Sequence, residues 1–126
     1  MGCEMDGKTI LIIDDDRDIS EAIQHIIDTE TQYRTLWIAE SDLVLLSAPH
    51  VRPSLILLDY LMPVMDGLSL YDRLQAIPTI QGVPVVLISA ATSLPYEELR
   101  KRQIRLLRKP FNVQELLDVI AELALD

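Results

Sequence analysis

The stretch Leu55-Ile56-Leu57-Leu58-Asp59-Tyr60-Leu61-Met62-Pro63-Val64-Met65-Asp66-Gly67 constrains the fold of this chain most. Four consecutive apolar residues run directly into a carboxylate. An unbroken apolar run suits a strand covered on both faces, as in a parallel sheet packed between helices. Asp59 falls where the run stops, at the carboxyl end of the strand. Open α/β sheets bind their ligands along that edge. The Met62-Pro63 step ends the strand, and Asp66 ahead of Gly67 predicts a helix start with a capping side chain. Taken alone, Asp59 reads equally as a ligand and as a turn former.

The rest of the chain repeats the alternation. Lys8–Asp14 predicts a first strand, apolar from Ile10 to Ile13. Arg17 to about Glu30 predicts a helix, with Ile19, Ala22, Ile23, Ile26 and Ile27 on one face. Tyr33–Ala39 reads as a second strand rich in β-favouring bulk. Ser41 is placed to cap a short helix through Ala48, stopped by Pro49 and Pro53. Leu55–Asp59 is the third strand and Gly67 to about Ala76 the third helix. Val83–Ile88 is the fourth strand, Pro95–Arg102 a short polar helix and Ile104–Leu107 a short fifth strand. Asn112 caps the last helix with Glu115 at the capping-box position, and Val113, Leu116, Leu117, Ile120 and Ala124 form its inward stripe. Five β-α units imply a parallel sheet with right-handed crossovers and helices on both faces.

The chain has 126 residues, enough for one domain, and 49% are hydrophobic. Its apolar runs are too short to span a bilayer, and the acidic start Met1-Gly2-Cys3-Glu4-Met5-Asp6 lacks the apolar core of a signal peptide. The expected compartment is the cytoplasm. The lone Cys3 has no internal disulfide partner. A net charge of −9 argues against direct nucleic-acid binding, which wants a basic face. Six of the eleven Lys and Arg residues nevertheless lie between Arg100 and Lys109.

Four motifs, in order, resemble the receiver domain of two-component response regulators. They are Ile12-Ile13-Asp14-Asp15-Asp16, the Asp59-to-Gly67 loop, Val85-Val86-Leu87-Ile88-Ser89-Ala90 and Lys109-Pro110-Phe111. The resemblance runs from Lys8 to about Leu125, with residues 1–7 left as an N-terminal tail and 8–126 as the domain. It implies a flavodoxin-like (βα)5 fold with strand order 2-1-3-4-5, which sets the tips of strands one and three side by side. Three carboxylates meeting there repel one another, and a divalent cation relieves that repulsion; Mg²⁺ needs only one or two carboxylates besides water.

The resemblance also implies the roles. Asp14 and Asp15 hold Mg²⁺ (or Mn²⁺), Asp59 is both ligand and phosphoacceptor, and the backbone carbonyl of Leu61 adds a further ligand. Lys109 supplies positive charge to the phosphoryl group, from a cis Lys109-Pro110 step, and Ser89 a hydroxyl. Ser89 is the switch residue. Asp16 is left as surface or capping charge. The donor would be a sensor histidine kinase or a histidine phosphotransfer protein. The output would be a partner protein, or a homodimer, engaged through helix four, strand five and helix five, with no membrane contact. Catalysis would be limited to phosphoryl acceptance and slow self-dephosphorylation.

Two departures stand out. Leu106 occupies the switch position where most receivers carry an aromatic residue, and Arg100–Arg108 replaces a Gly- and Ala-rich segment. The latter predicts a basic output surface that docks an acidic partner or the acidic flank of a second copy. Leu61 and Ala91, two places after Asp59 and Ser89, cannot orient an attacking water, which predicts slow loss of phosphate. Competing readings are a docking-only receiver, a flavodoxin-like ligand binder and a Mg²⁺-dependent phosphohydrolase. The binder lacks a Gly-rich phosphate loop after strand one, and the hydrolase lacks a general acid beside Asp59.

Overall fold

The computed structural model describes residues 9–125. The proposed tail, Cys3 and the expected strand start at Lys8 lie outside them. The elements follow as β1 (Thr9–Ile13), α1 (Arg17–Glu30), β2 (Arg34–Ile38), α2 (Ser41–Ser47), β3 (Pro53–Asp59), α3 (Gly67–Gln75), β4 (Val85–Ser89), α4 (Tyr96–Lys101), β5 (Arg105–Arg108) and α5 (Val113–Leu123). All pairings are parallel, and the order is β2-β1-β3-β4-β5, as expected.

The period-two alternation of the strands splits the core into two layers. Ile10, Ile12, Leu55, Leu57, Val86 and Ile88 pack under α1 and α5, against Ile23, Ile27, Leu116 and Ile120. Leu11, Ile13, Ile56, Leu58 and Leu87 pack on the other face, against Val44, Leu70, Leu74 and Leu99. All seven residues of β3 are buried, so it is the sheet's central strand. That is why its sequence shows no polar alternation.

Several boundaries differ from the sequence reading. β3 starts at Pro53, since proline is tolerated at the first residue of a strand. β4 starts only at Val85, after Pro84. β2 and β5 are likewise shifted by about a residue. Ser41 is not the cap of α2: Glu40 holds that position without a side-chain bond, and Ser41 is buried in the first turn. Ala48 belongs to a separate 3-10 turn, Ala48–His50. Ala22 and Val113 are exposed instead of inward, Ala22 at the margin of the α1 stripe and Val113 at the first position of α5. The capping box of Asn112 and Glu115 forms as read.

Candidate functional site

The parallel order brings the ends of β1 and β3 together, and each ends in a carboxylate. Asp14 follows β1 and is 2% exposed; Asp59 closes β3 and is 7% exposed. Asp15, beside them, is exposed. One oxygen from each of the three carboxylates lies within 4.8 Å of the others. Local bonds fix the frame. Asp16 caps α1 by accepting from the Ile19 N–H, while its own N–H donates to Asp14 Oδ1 at 2.8 Å. The Trp37 indole N–H donates to the Asp14 carbonyl at 2.7 Å, tying β2 to the site.

The loop after Asp59 is held closed by Gly67, whose N–H donates to the Tyr60 carbonyl at 2.8 Å. A Cβ at Gly67 would stand 3.0 Å from Tyr60 Cα and 3.1 Å from the Asp59 carbonyl. Any larger residue would force the start of α3 or the end of β3 to give way. Asp66 then caps α3 by accepting from the Ser69 N–H, as the sequence indicated.

The fourth and fifth strands bring in Ser89 and Lys109. The Lys109 N–H donates to the Ser89 carbonyl at 2.9 Å, joining the two backbones. The Lys109–Pro110 bond is cis. Lys109 Nζ stands 3.5 Å from both Asp14 Oδ2 and Asp59 Oδ1. Charge-assisted bonds are usually about 2.7–2.9 Å, so the ammonium stands off from both carboxylates. Asp14 Oδ2 is buried with no hydrogen bond among the described residues. The buried Ser89 hydroxyl accepts from the Ala91 N–H at 3.0 Å.

Burial, reinforced by the neighbouring Asp14 charge, pushes the Asp59 carboxyl up to about 6, against the opposing pull of Lys109. Asp14 is also raised by burial, opposed by the Asp16 N–H and by Lys109. Two strained carboxylates, one orphaned oxygen and an all-oxygen donor set fit a hard divalent cation.

Residues 10–121 match the response regulator receiver domain family. The chain belongs to that family. The receiver is 32% identical over 114 residues to "Histidine kinase P4" of Formosa agariphila, covering 89% of this chain and 8% of that one. It is 32% identical over 113 residues to the cyclic di-GMP phosphodiesterase response regulator RpfG of Xanthomonas campestris, covering 87% of this chain and 30% of that one. The chain thus spans a minor part of both relatives. A solved structure, the receiver domain of sensor histidine kinase PA1611 from Pseudomonas aeruginosa with a magnesium ion in its active-site cleft, superposes with a TM-score of 0.82 at 26% identity. That match covers 93% of this chain and 97% of the other. The acidic cluster of this receiver fits the phosphorylation site of the family.

The structure corrects the basic-surface expectation. Arg102 pairs with Asp72 at 2.9 Å and Glu98 at 2.8 Å, Lys101 with Glu98, and Arg105 with Glu122 at 2.8 Å. Much of the basic run is neutralised by the receiver's own carboxylates. Leu106 is half-buried, packed against the core on the α4 side. Arg108, read from sequence only as the end of the basic run, donates to the Ala91 carbonyl at 3.0 Å and to the Tyr96 hydroxyl, bracing the loop that follows Ser89. Neither its contacts nor the Trp37 bond has a local sequence signature.

Proposed function

We propose that this receiver is a phosphorylation switch, and that its own chemistry is limited to taking and slowly losing one phosphoryl group. The convergence of Asp14, Asp15 and Asp59 opposite Lys109 carries the reading. Asp59 Oδ attacks the phosphorus of a phosphohistidine donor in line. The P–O bond forms as the P–N bond breaks, and the imidazole nitrogen keeps the electron pair. Such transfer needs positioning and charge neutralisation more than covalent help. Lys109 holds positive charge where the new phosphoryl oxygens arrive. Asp14, Asp15, Asp59 and the Leu61 carbonyl would hold Mg²⁺ or Mn²⁺, which lowers the carboxylate repulsion and screens the phosphoryl charge.

Ser89 then exchanges its bond from the Ala91 N–H for one to a phosphate oxygen, drawing the β4–α4 loop with it. With Leu106 in place of an aromatic residue, the readout rests on that loop. A sensor histidine kinase or histidine phosphotransfer protein is the donor, in the cytoplasm. The α4–β5–α5 face meets an output partner or a second copy, with no direct nucleic-acid or membrane contact. Residues 8–126 form the domain and 1–7 a tail.

Incubation with acetyl phosphate and Mg²⁺, followed by intact mass, tests this. One added phosphate is expected, blocked by EDTA and decaying slowly after the donor is removed. No added mass, also with a phosphohistidine donor, or label that survives EDTA during the reaction, would count against it.

A further inference from the structure

The loop between β4 and α4 is tied to β5 by Arg108. Ser89 and Arg108 are register partners on the two strands. Leu106 and Arg108 share one face of β5 by its period-two alternation, and Leu106 packs on the α4 side. From that face, one guanidinium nitrogen of Arg108 donates to the Ala91 carbonyl at 3.0 Å and another to the Tyr96 hydroxyl. Ala91 lies two residues past Ser89, and its own N–H donates to the Ser89 hydroxyl oxygen at 3.0 Å. Among the described residues, the hydrogen bonds of residues 91–93 both run through Ala91. Tyr96 is the first residue of α4. The guanidinium therefore spans the loop, from its start at Ala91 to the helix that follows.

Arg108 differs here from the rest of the basic run. Arg102 and Arg105 take carboxylates, whereas Arg108 takes two neutral oxygens. The donors of a guanidinium lie in a rigid planar fork, so one that bridges two acceptors orders both. Leu106, on the same face, has no polar atom with which to make that link.

The consequence falls on Ser89. Its hydroxyl accepts from Ala91, and Ala91 is fixed by Arg108. When the hydroxyl turns to a phosphate oxygen, the Ala91 N–H loses its acceptor. When the loop follows the hydroxyl, the Ala91 carbonyl leaves the guanidinium. Either movement breaks a bond of the resting arrangement, so the clamp opposes phosphoryl acceptance.

We infer that Arg108 is a positioning residue, which holds Ser89 in its resting place through Ala91 and is itself steadied by Tyr96. The inference rests on the phosphorylation reading of Asp59 and adds what restrains the switch. The net contribution of one hydrogen bond corresponds to about two- to tenfold in an equilibrium constant.

Calorimetric titration of the full chain with beryllofluoride and Mg²⁺, a mimic of the aspartyl phosphate, tests it. Arg108→Gln should bind about two- to tenfold more tightly than the wild type. Arg108→Lys keeps the charge but lacks the fork, and should also tighten binding. Tyr96→Phe should tighten it less, and should add nothing to Arg108→Gln, because both remove the same clamp. In a Ser89→Ala background, Arg108→Gln should leave the affinity unchanged, since the restrained hydroxyl is gone. A merely structural role would not depend on Ser89. Urea melts of each variant establish that it is folded. Unchanged or weaker binding by Arg108→Gln, or the same tightening with Ser89→Ala present, would overturn the inference while wild-type binding leaves the phosphorylation reading intact. Absence of beryllofluoride binding by the wild type would instead remove that reading, and the clamp with it.

Discussion

At the carboxyl edge of the sheet, buried Asp14 and Asp59 face a lysine across 3.5 Å, with one Asp14 oxygen lacking a hydrogen bond among the described residues. Along α4 and β5, the half-buried Arg102 and the exposed Arg105 reach surface carboxylates at 2.8 and 2.9 Å. The short, well-made pairs sit in water, where such pairs contribute little. The long, incomplete contacts sit where desolvation is costly. A cluster that folding alone had shaped would show the reverse. The edge site keeps unrelieved charge in a place where a cation and a phosphoryl group can relieve it.

Breaking the buried side of this comparison should give the largest effect on stability. Asp59 binds its proton more tightly in the folded chain, at about 6, than in the unfolded chain, at about 3.9. The stabilisation from that proton is therefore fully present below about pH 4 and is lost as pH rises through about 6. Without divalent cation, the receiver should be more stable at pH 5 than at pH 7. Asp59→Asn should reduce this dependence, leaving the smaller part that the raised Asp14 contributes, and raise stability at pH 7 by up to about 3 kcal/mol, at 1.36 kcal/mol per unit. Denaturant melts of both proteins at the two pH values read this directly. A flat wild-type profile with no gain in the variant would mean that the carboxylate is not strained.

Gly67→Ala should cost about 1–3 kcal/mol, as overpacking does, because the new Cβ meets the Tyr60 and Asp59 backbone. It should also slow phosphate uptake by shifting Asp59. A variant with wild-type stability and labelling would show that α3 can retreat freely. The smallest effect should come from Arg102→Gln, which removes the surface pairs of this half-buried arginine to Asp72 and Glu98. Its thermal midpoint should move least of the three, with labelling unchanged. A larger drop than that of Gly67→Ala would invert the ranking of the two regions.

The fold was readable because buried strands and amphipathic helices leave periodic traces. The run ending in Asp59 and the capping box at Asn112 were both visible as local patterns. Boundaries slipped where a proline or a cap depends on tertiary support, as at Pro53 and Ser41. The site was readable because its residues close the strands that hold them, so topology alone gathers them. The pairing of Arg102 with Asp72, thirty positions away, was not. Nor was the bond from Trp37 to the Asp14 carbonyl. Such contacts depend on how a helix is rotated and how strands register, and neither leaves a pattern in the neighbouring residues.

The central claim is that Asp59 itself becomes an acyl phosphate. Borohydride reduction of the labelled receiver, followed by peptide mapping, tests this most directly, because hydride converts an aspartyl phosphate to homoserine. The account predicts homoserine at position 59, absent without donor and absent in Asp59→Asn. Labelled protein that yields homoserine at another aspartate, or none at all, would contradict it.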